Sequence, residues 1–175
     1  ESCGIAVSDD KDISCHKGMG LVQEVFREEN IQNMNGNIGI GHVRYSTAGG
    51  SYEYNTQPLL GFSKGKRIAI AHNGNLINNQ LLKTRLEEDG MMFQTTIDSE
   101  VILYLISRYY NGNMLDAVKK TMDLIKGAYS LVVMLKDKMV AVRDPYGFRP
   151  LVMGRRGDDY IFASETGVID VLGGE

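Results

Sequence analysis

Bulky and small residues alternate with a period of two at the start of the chain. Cys3, Ile5 and Val7 fall on one side and Gly4, Ala6 and Ser8 on the other, which predicts a half-buried strand with Cys3 as a small core residue. A turn-rich acidic stretch at 9–12 separates it from a second strand-like run at 13–17. Leu21, Val22, Val25 and Phe26 then recur at the spacing of a short amphipathic helix. Two segments farther on look alike: Ile38-Gly39-Ile40-Gly41-His42-Val43-Arg44 and Ile68-Ala69-Ile70-Ala71-His72-Asn73-Gly74. Each reads as a strand with one bulky and one tiny face, and the Gly and Ala faces are expected to let another layer or a ligand approach the backbone. Between them, residues 46–58 form a small and polar stretch of a length that usually carries function.

Three helical stretches are expected next. Residues 76–89 carry Ile77, Leu81, Leu82 and Leu86 and stop at Gly90, a good residue just past a helix end. Residues 99–110 open after Asp98, an N-cap type, with Glu100 in the first turn where the helix dipole favours it. Residues 114–126 begin after Asn113 and end at Gly127. The final third returns to strands. Residues 129–135 are a nearly continuous apolar run, expected to be buried on both faces, and shorter strands follow at 139–143, 151–153 and 160–163. Turns separate them at Lys136-Asp137-Lys138, at Asp144-Pro145-Tyr146-Gly147 and at 156–159, and another strand-like run leads into Gly173-Gly174-Glu175. Strands, then helices, then meandering strands predict an α+β domain with mostly antiparallel sheet.

At 175 residues the chain fits one domain, and its 43% hydrophobic and 23% charged content is that of an ordinary globular protein. A net charge of -3 gives no reason to expect nucleic acid or an anionic membrane as partner, and no apolar run is long enough to span a bilayer. Two cysteines without Cys-x-x-Cys spacing and three histidines argue against a metal site or a disulfide framework, and favour thiols in a reducing, cytoplasmic setting. Without an initiator Met, and with an end close behind a strand-like run, the sequence is expected to be incomplete at both ends.

Each candidate for chemistry has a plain structural alternative. Asn73-Gly74 is the strongest short signal for a tight hairpin, but a helix-like stretch and no strand follows it. A strand ending in Asn-Gly can instead aim a side-chain amide and a backbone N–H at one point, as an oxyanion hole requires. Arg44 is either a solvated charge or a bidentate clamp on a carboxylate. Asp98 is a helix cap, a partner for an ammonium group, or both. His42 and His72 occupy matching phases of two strands and are expected to be satisfied core histidines.

In order along the chain, these pieces form a specific pattern. Gly41-His42-Val43-Arg44-Tyr45-Ser46-Thr47-Ala48-Gly49, Asn55-Thr56-Gln57-Pro58-Leu59-Leu60, His72-Asn73-Gly74-Asn75-Leu76, Asp98-Ser99-Glu100-Val101, Lys126-Gly127-Ala128-Tyr129, Asp144-Pro145-Tyr146-Gly147-Phe148-Arg149-Pro150-Leu151 and Ala163-Ser164-Glu165 closely resemble the glutaminase domain of the glutamine phosphoribosylpyrophosphate amidotransferases, over nearly the whole chain. The resemblance implies a four-layer αββα sandwich of antiparallel sheets, the N-terminal-nucleophile hydrolase fold. It implies that Asn73 and the Gly74 N–H form the oxyanion hole, that Arg44 holds the glutamine α-carboxylate, that Asp98 pairs with its α-ammonium, and that Thr47 lies in a loop over the bound substrate. It implies glutamine hydrolysis that supplies ammonia for 5-phosphoribosylamine, the first committed step of purine synthesis. A phosphoribosyltransferase domain, absent from this chain, is the implied partner, in a homo-oligomer, with Mg²⁺ and an iron–sulfur cluster in the whole enzyme but no cofactor in this chain.

The departure is the nucleophile. The family's catalytic Cys-Gly start precedes an Arg-Gly-Gln segment that runs into Glu-Ser-x-Gly-Ile, and Glu1-Ser2-Cys3-Gly4-Ile5 matches that later segment. Cys3 therefore stands where the family has a small core residue, Cys15 has no claim, and the chain as written is expected to release no ammonia. The alternatives are the related domain of glucosamine-phosphate or asparagine synthesis, and a non-catalytic glutamine-binding scaffold. The glucosamine-phosphate family typically carries Trp and a second His around the Arg motif, where this chain has Tyr45 and Ala48 and no Trp at all.

Overall fold

The computed structural model describes residues 1–45, 50 and 52–175. Thr47 and part of the 46–58 stretch lie outside those residues. Two antiparallel sheets carry the architecture. In the first, β1 (Ser2–Ser8) lies between β2 (Ile13–Met19) and β3 (Ile38–Arg44). In the second, β4 (Leu59–Ser63), β5 (Lys66–Leu76), β6 (Gly127–Leu135) and β7 (Lys138–Arg143) follow in spatial order. The helices are α1 (Val22–Val25), α2 (Glu28–Gln32), α3 (Asn79–Glu88), α4 (Ser99–Tyr109), α5 (Met114–Leu124) and α6 (Thr166–Val171), the last packed on a hairpin of β8 (Val152–Arg156) and β9 (Asp159–Ala163).

Alternation along β5 sets the layers. Ile68 and Ile70 enter an apolar cluster with Val101, Ile102 and Ile106 of α4 and with Leu131 and Val133 of β6. Ala69 and Ala71, on the opposite face, meet Ala6, Ile13 and Ile40 of the first sheet together with Met134. Helices thus cover one side of the second sheet and the first sheet covers the other, while α1 lies on the outer side of the first sheet against β1 and β2. The order helix, sheet, sheet, helix is the sandwich that the sequence implied. Residues 129–135 sit at its centre, with odd and even positions feeding different clusters, which explains their continuous apolarity.

Several boundaries differ from the sequence reading for identifiable reasons. The amphipathic helix near 21–26 is one turn, with Leu21 and Val22 exposed. On β1 the small residues Ser2, Gly4, Ala6 and Ser8 face inward, while Ile5 and Val7 are only half-buried. On β3 the bulky face turns inward and Gly39 and Gly41 are exposed, so only β5 uses its tiny face to admit another layer. The helix expected from 76 starts at Asn79, because Leu76 pairs with Gly127 as the last rung of β5. Gly127 opens β6 and does not cap α5, since a Cβ there would lie 2.2 Å from the Asn75 carbonyl oxygen. The run before Gly173 is helix α6, which buries Ile169 against the hairpin. Asn113 caps α5 as expected, accepting from Leu115 N and Asp116 N, and Gly90 follows α3 with its N–H on Glu87 O at 2.9 Å.

Candidate active site

β5 runs straight through Asn73 and Gly74, which pair with Ser130 and Tyr129, so they form no hairpin turn. Only glycine fits at 74: a Cβ would lie 2.1 Å from the Ala128 carbonyl oxygen. The ladder also fixes which way the Gly74 backbone faces. Tyr129 turns both main-chain groups to Asp144, accepting from Asp144 N at 2.8 Å and donating to Asp144 Oδ2 at 3.3 Å. Because N–H and C=O of one residue point the same way in an antiparallel ladder, Gly74, opposite Tyr129, turns its own pair away from β6.

His72 and Leu76 point in that same direction, and side chains have claimed both of their N–H groups. His72 N donates to Gln57 Oε1 at 2.8 Å, and Leu76 N donates to Asp98 Oδ2 at 2.8 Å. β4 stops at Leu59 opposite Ile70, so Gln57 supplies with its side chain the rung that β4 no longer offers. The Gly74 N–H between them is taken by no group among the described residues. Asn73 falls on the face of Ala69 and Ala71, toward the first sheet.

The first sheet supplies the opposite wall. Ser2, Gly4 and Ala6 lie in register beside Arg44, His42 and Ile40. Gly4 is as constrained as Gly74, because a Cβ there would sit 2.4 Å from the Gln57 carbonyl oxygen. His42 Nε2 lies 3.0 Å from the His72 carbonyl, which can only accept, so Nε2 carries the proton. Burial, with the charges of His72 and Arg44 adding to it and the His72 carbonyl bond opposing it, lowers the His42 pKa to about 4. The two histidines do touch, through a side chain on one and a carbonyl on the other. Arg44 is no solvated charge: it is 9% exposed, and its Nη1 donates to Gly50 O at 3.0 Å.

Asp98 stands at the N-cap position of α4 but makes no side-chain cap bond. Its carboxylate reaches across to β5, with Oδ2 on Leu76 N and Oδ1 3.5 Å from His72 Nδ1. The same Nδ1 lies 3.0 Å from Ser99 Oγ. Burial by itself raises the Asp98 pKa, but the His72 hydrogen bond and charge and the Leu76 N–H outweigh it, so the net shift is downward and the group is a carboxylate at neutral pH.

These contacts close a circuit. Arg44 bonds Gly50; Asn55 bonds Gly50 at 3.4 Å and Thr96 Oγ1 at 2.8 Å; Thr96 is two residues from Asp98; Asp98 faces His72; and the His72 carbonyl returns to His42, two residues from Arg44. A buried cation, a partly buried carboxylate, an amide and a backbone N–H that no described residue takes thus border one site. That set suits a zwitterionic amino acid with a reacting carbonyl.

Neither cysteine joins it. Cys3 shares the outer face of β1 with Ile5 and Val7 and is buried, its Sγ 3.9 Å from Gly20 O. Burial first, then Glu24, raises its pKa, and burial raises that of Cys15, so both are held as thiols. Residues that sequence reasoning missed are Gln57, Asn55, Thr96 and the loop-organising role of Glu100, whose carboxylate accepts from Gln94 N and Thr95 N at 2.9 and 2.7 Å. The motifs from Asn55 to Leu60 and from Asp98 to Val101 contained three of them without pointing to what they hold.

Comparison with known proteins places this geometry in context. Residues 42–170 match the family described as glutamine amidotransferase domain. An amidophosphoribosyltransferase of Methanothermobacter thermautotrophicus is 48% identical over all of this chain and 37% of its own length. That of Bacillus subtilis is 44% identical over 99% of this chain and 37% of its own. The chain therefore spans a little over a third of these relatives. A solved structure described as the allosteric regulatory enzyme of purine biosynthesis superposes with a TM-score of 0.94 at 43% identity, covering 99% of this chain and 38% of that one. The B. subtilis glutamine phosphoribosylpyrophosphate amidotransferase complexed with ADP and GMP superposes at 0.92 with 41% identity, over 99% of this chain and 38% of that one.

Proposed function

The chain belongs to the glutamine amidotransferase domain family, and from that premise we propose that it is the glutamine-hydrolysing part of an amidophosphoribosyltransferase, feeding ammonia to the synthesis of 5-phosphoribosylamine from phosphoribosyl pyrophosphate. The observation that carries the reading is the Gly74 N–H beside Asn73, taken by no described residue and set between a buried guanidinium and a partly buried carboxylate. Arg44 takes the glutamine α-carboxylate in a bidentate geometry that Lys does not reproduce. Asp98, kept ionised, pairs with the α-ammonium. Both contacts act on the ground state and position the side-chain amide.

When a nucleophile adds to that amide, its oxygen becomes an oxyanion, and the Asn73 amide and Gly74 N–H receive it. Fixed donors at that point stabilise charge that exists only after attack, so they lower the barrier without tightening substrate binding. The attacking group is neither Cys3 nor Cys15. The same proposal includes a phosphoribosyltransferase portion that uses the ammonia, a homo-oligomer and a cytoplasmic setting. Mg²⁺ and an iron–sulfur cluster belong to the same proposal for the whole enzyme alone, and no step is routed through either. Thr47, which lies outside the described residues, belongs to the same proposal as a residue of the loop over the substrate.

The test uses the full-length protein. Asn73→Ala is expected to lower glutamine-dependent kcat by about 10²–10³ with little change in KM, and Arg44→Lys to raise the glutamine KM instead. Synthesis from ammonia, which bypasses glutamine, should survive in both. A near-normal kcat in Asn73→Ala, or an ammonia reaction that falls in step, would return Asn73-Gly74 to a structural role. Glutamine binding with no turnover by the unsubstituted protein would favour the scaffold reading.

A further inference from the structure

We propose that Gln57 and His42 are positioning residues that aim the oxyanion hole by locking the His72 peptide groups, a deepening that rests on the glutaminase reading above. Gln57 meets His72 twice, accepting from His72 N at 2.8 Å and donating from Nε2 to His72 O at 3.1 Å. His42 donates to the same carbonyl from the other sheet at 3.0 Å. The His72 carbonyl carbon is bonded to the Asn73 nitrogen, so two hydrogen bonds converge on the peptide unit just ahead of the two proposed oxyanion donors, and the third holds the peptide unit before it.

The arrangement has the features of a built clamp. Gln57 is 4% exposed and His72 3% exposed, so bonds between them are shielded from water and their loss is not made good by solvent. Gln57 takes the place of a strand residue: β4 has ended, and an amide side chain offers the acceptor and donor spacing of a peptide. A true strand continuing there would also cover the Gly74 N–H, the next group facing that way. A side chain fills the rung at 72 and leaves the one at 74 open. Downstream, Asp98 holds Leu76 N, so the segment is fixed on both sides of the open donor. His42 is kept neutral by burial and so remains a single-proton donor committed to the His72 carbonyl.

A residue that acts through the hole must affect the same step as the hole itself. In the full-length protein, Gln57→Met keeps the length and volume of the side chain but removes both bonds, and it is expected to lower glutamine-dependent kcat about 10-fold to 100-fold with KM within about twofold. In an Asn73→Ala background, where part of the hole is already gone, the same change should cost less than about threefold. His42→Phe should follow the same pattern with a smaller loss, and His42→Gln, which retains an amide donor, should recover most of it. This pair keeps the test decisive if Gln57→Met folds poorly. Full multiplicative losses in the Asn73→Ala background, a raised KM at normal kcat, or no kinetic effect in either series would overturn the clamp. If the unsubstituted full-length protein releases no ammonia from glutamine, it is the functional reading that falls, and the clamp falls with it.

Discussion

His42 shows how one partly buried side chain ties stability to pH. Its folded pKa of about 4 lies below the ordinary value of 6.5, so between those values the unfolded chain binds the extra proton and the folded chain does not. Stability from this group is therefore complete above pH 6.5 and is lost as pH falls toward 4, by roughly 3 kcal/mol across the window. Urea titrations at several pH values should show that slope, and His42→Gln should flatten it. An unchanged slope would mean that His42 is not the group responsible. Asp98 has the opposite history in the sequence reading, where a cap was its plain role. It sits in the cap position yet spends both oxygens on β5, so its charge serves the site and not the helix end.

At the scale of elements, the segment 143–150 is held by its own side chains. Asp144 accepts from Tyr146 N, Phe148 N, Arg149 N and Tyr129 N, while Arg143 donates to the Gly147 and Arg149 carbonyls, both at 2.7 Å. Burial tends to raise the Asp144 pKa, but these N–H bonds prevail and lower it. Its stabilisation is thus present above the ordinary carboxylate pKa and lost below it. Asp144→Ala strips the acceptor from several backbone donors, and the melting temperature is expected to drop by about 3–6 °C at neutral pH, with a smaller difference from the parent in strong acid. Equal differences at both pH values would argue against the carboxylate. The loop matters for more than itself, because Asp144 also orients Tyr129, which in turn makes Gly74 face outward.

At the scale of the molecule, the two sheets meet through small residues, and that contact is what brings Arg44 and His42 to β5. Ala69 is fully buried between Ala6, Ile13, Ile40 and Met134. Ala69→Leu should force the sheets apart, destabilising the domain by about 1–3 kcal/mol in chemical denaturation. It should also lower glutaminase activity more than a helix-side change of similar cost, because it shifts one wall of the site against the other. A stability loss without any selective loss of activity would show that the walls tolerate such movement.

The strands at 38–44 and 129–135, the helices of the middle third and the α+β class were legible in sequence because period, caps and glycine stops are local properties of the chain. Arg44, Asn73, Gly74 and Asp98 stood out there as candidates, since each offers chemistry that its neighbours lack. Local pattern misplaced Leu76 and Gly127, which the ladder between β5 and β6 pairs against their helical context. It also misread the run at 168–172, where strand-like residues form a helix that seats Ile169 on the hairpin. Thr96 was invisible, and Gln57 and Asn55 were legible only as members of a motif without a role, because their partners lie 15 to 41 positions away and a polar residue in a loop has no period to betray it. What the sequence by itself determined is therefore which groups are available and which elements carry them. Only the tertiary structure decided which face of β3 turns inward, that Asp98 grips a strand and not its own helix, and that one N–H among three stays open, because those outcomes depend on partners brought together by packing across the sheets.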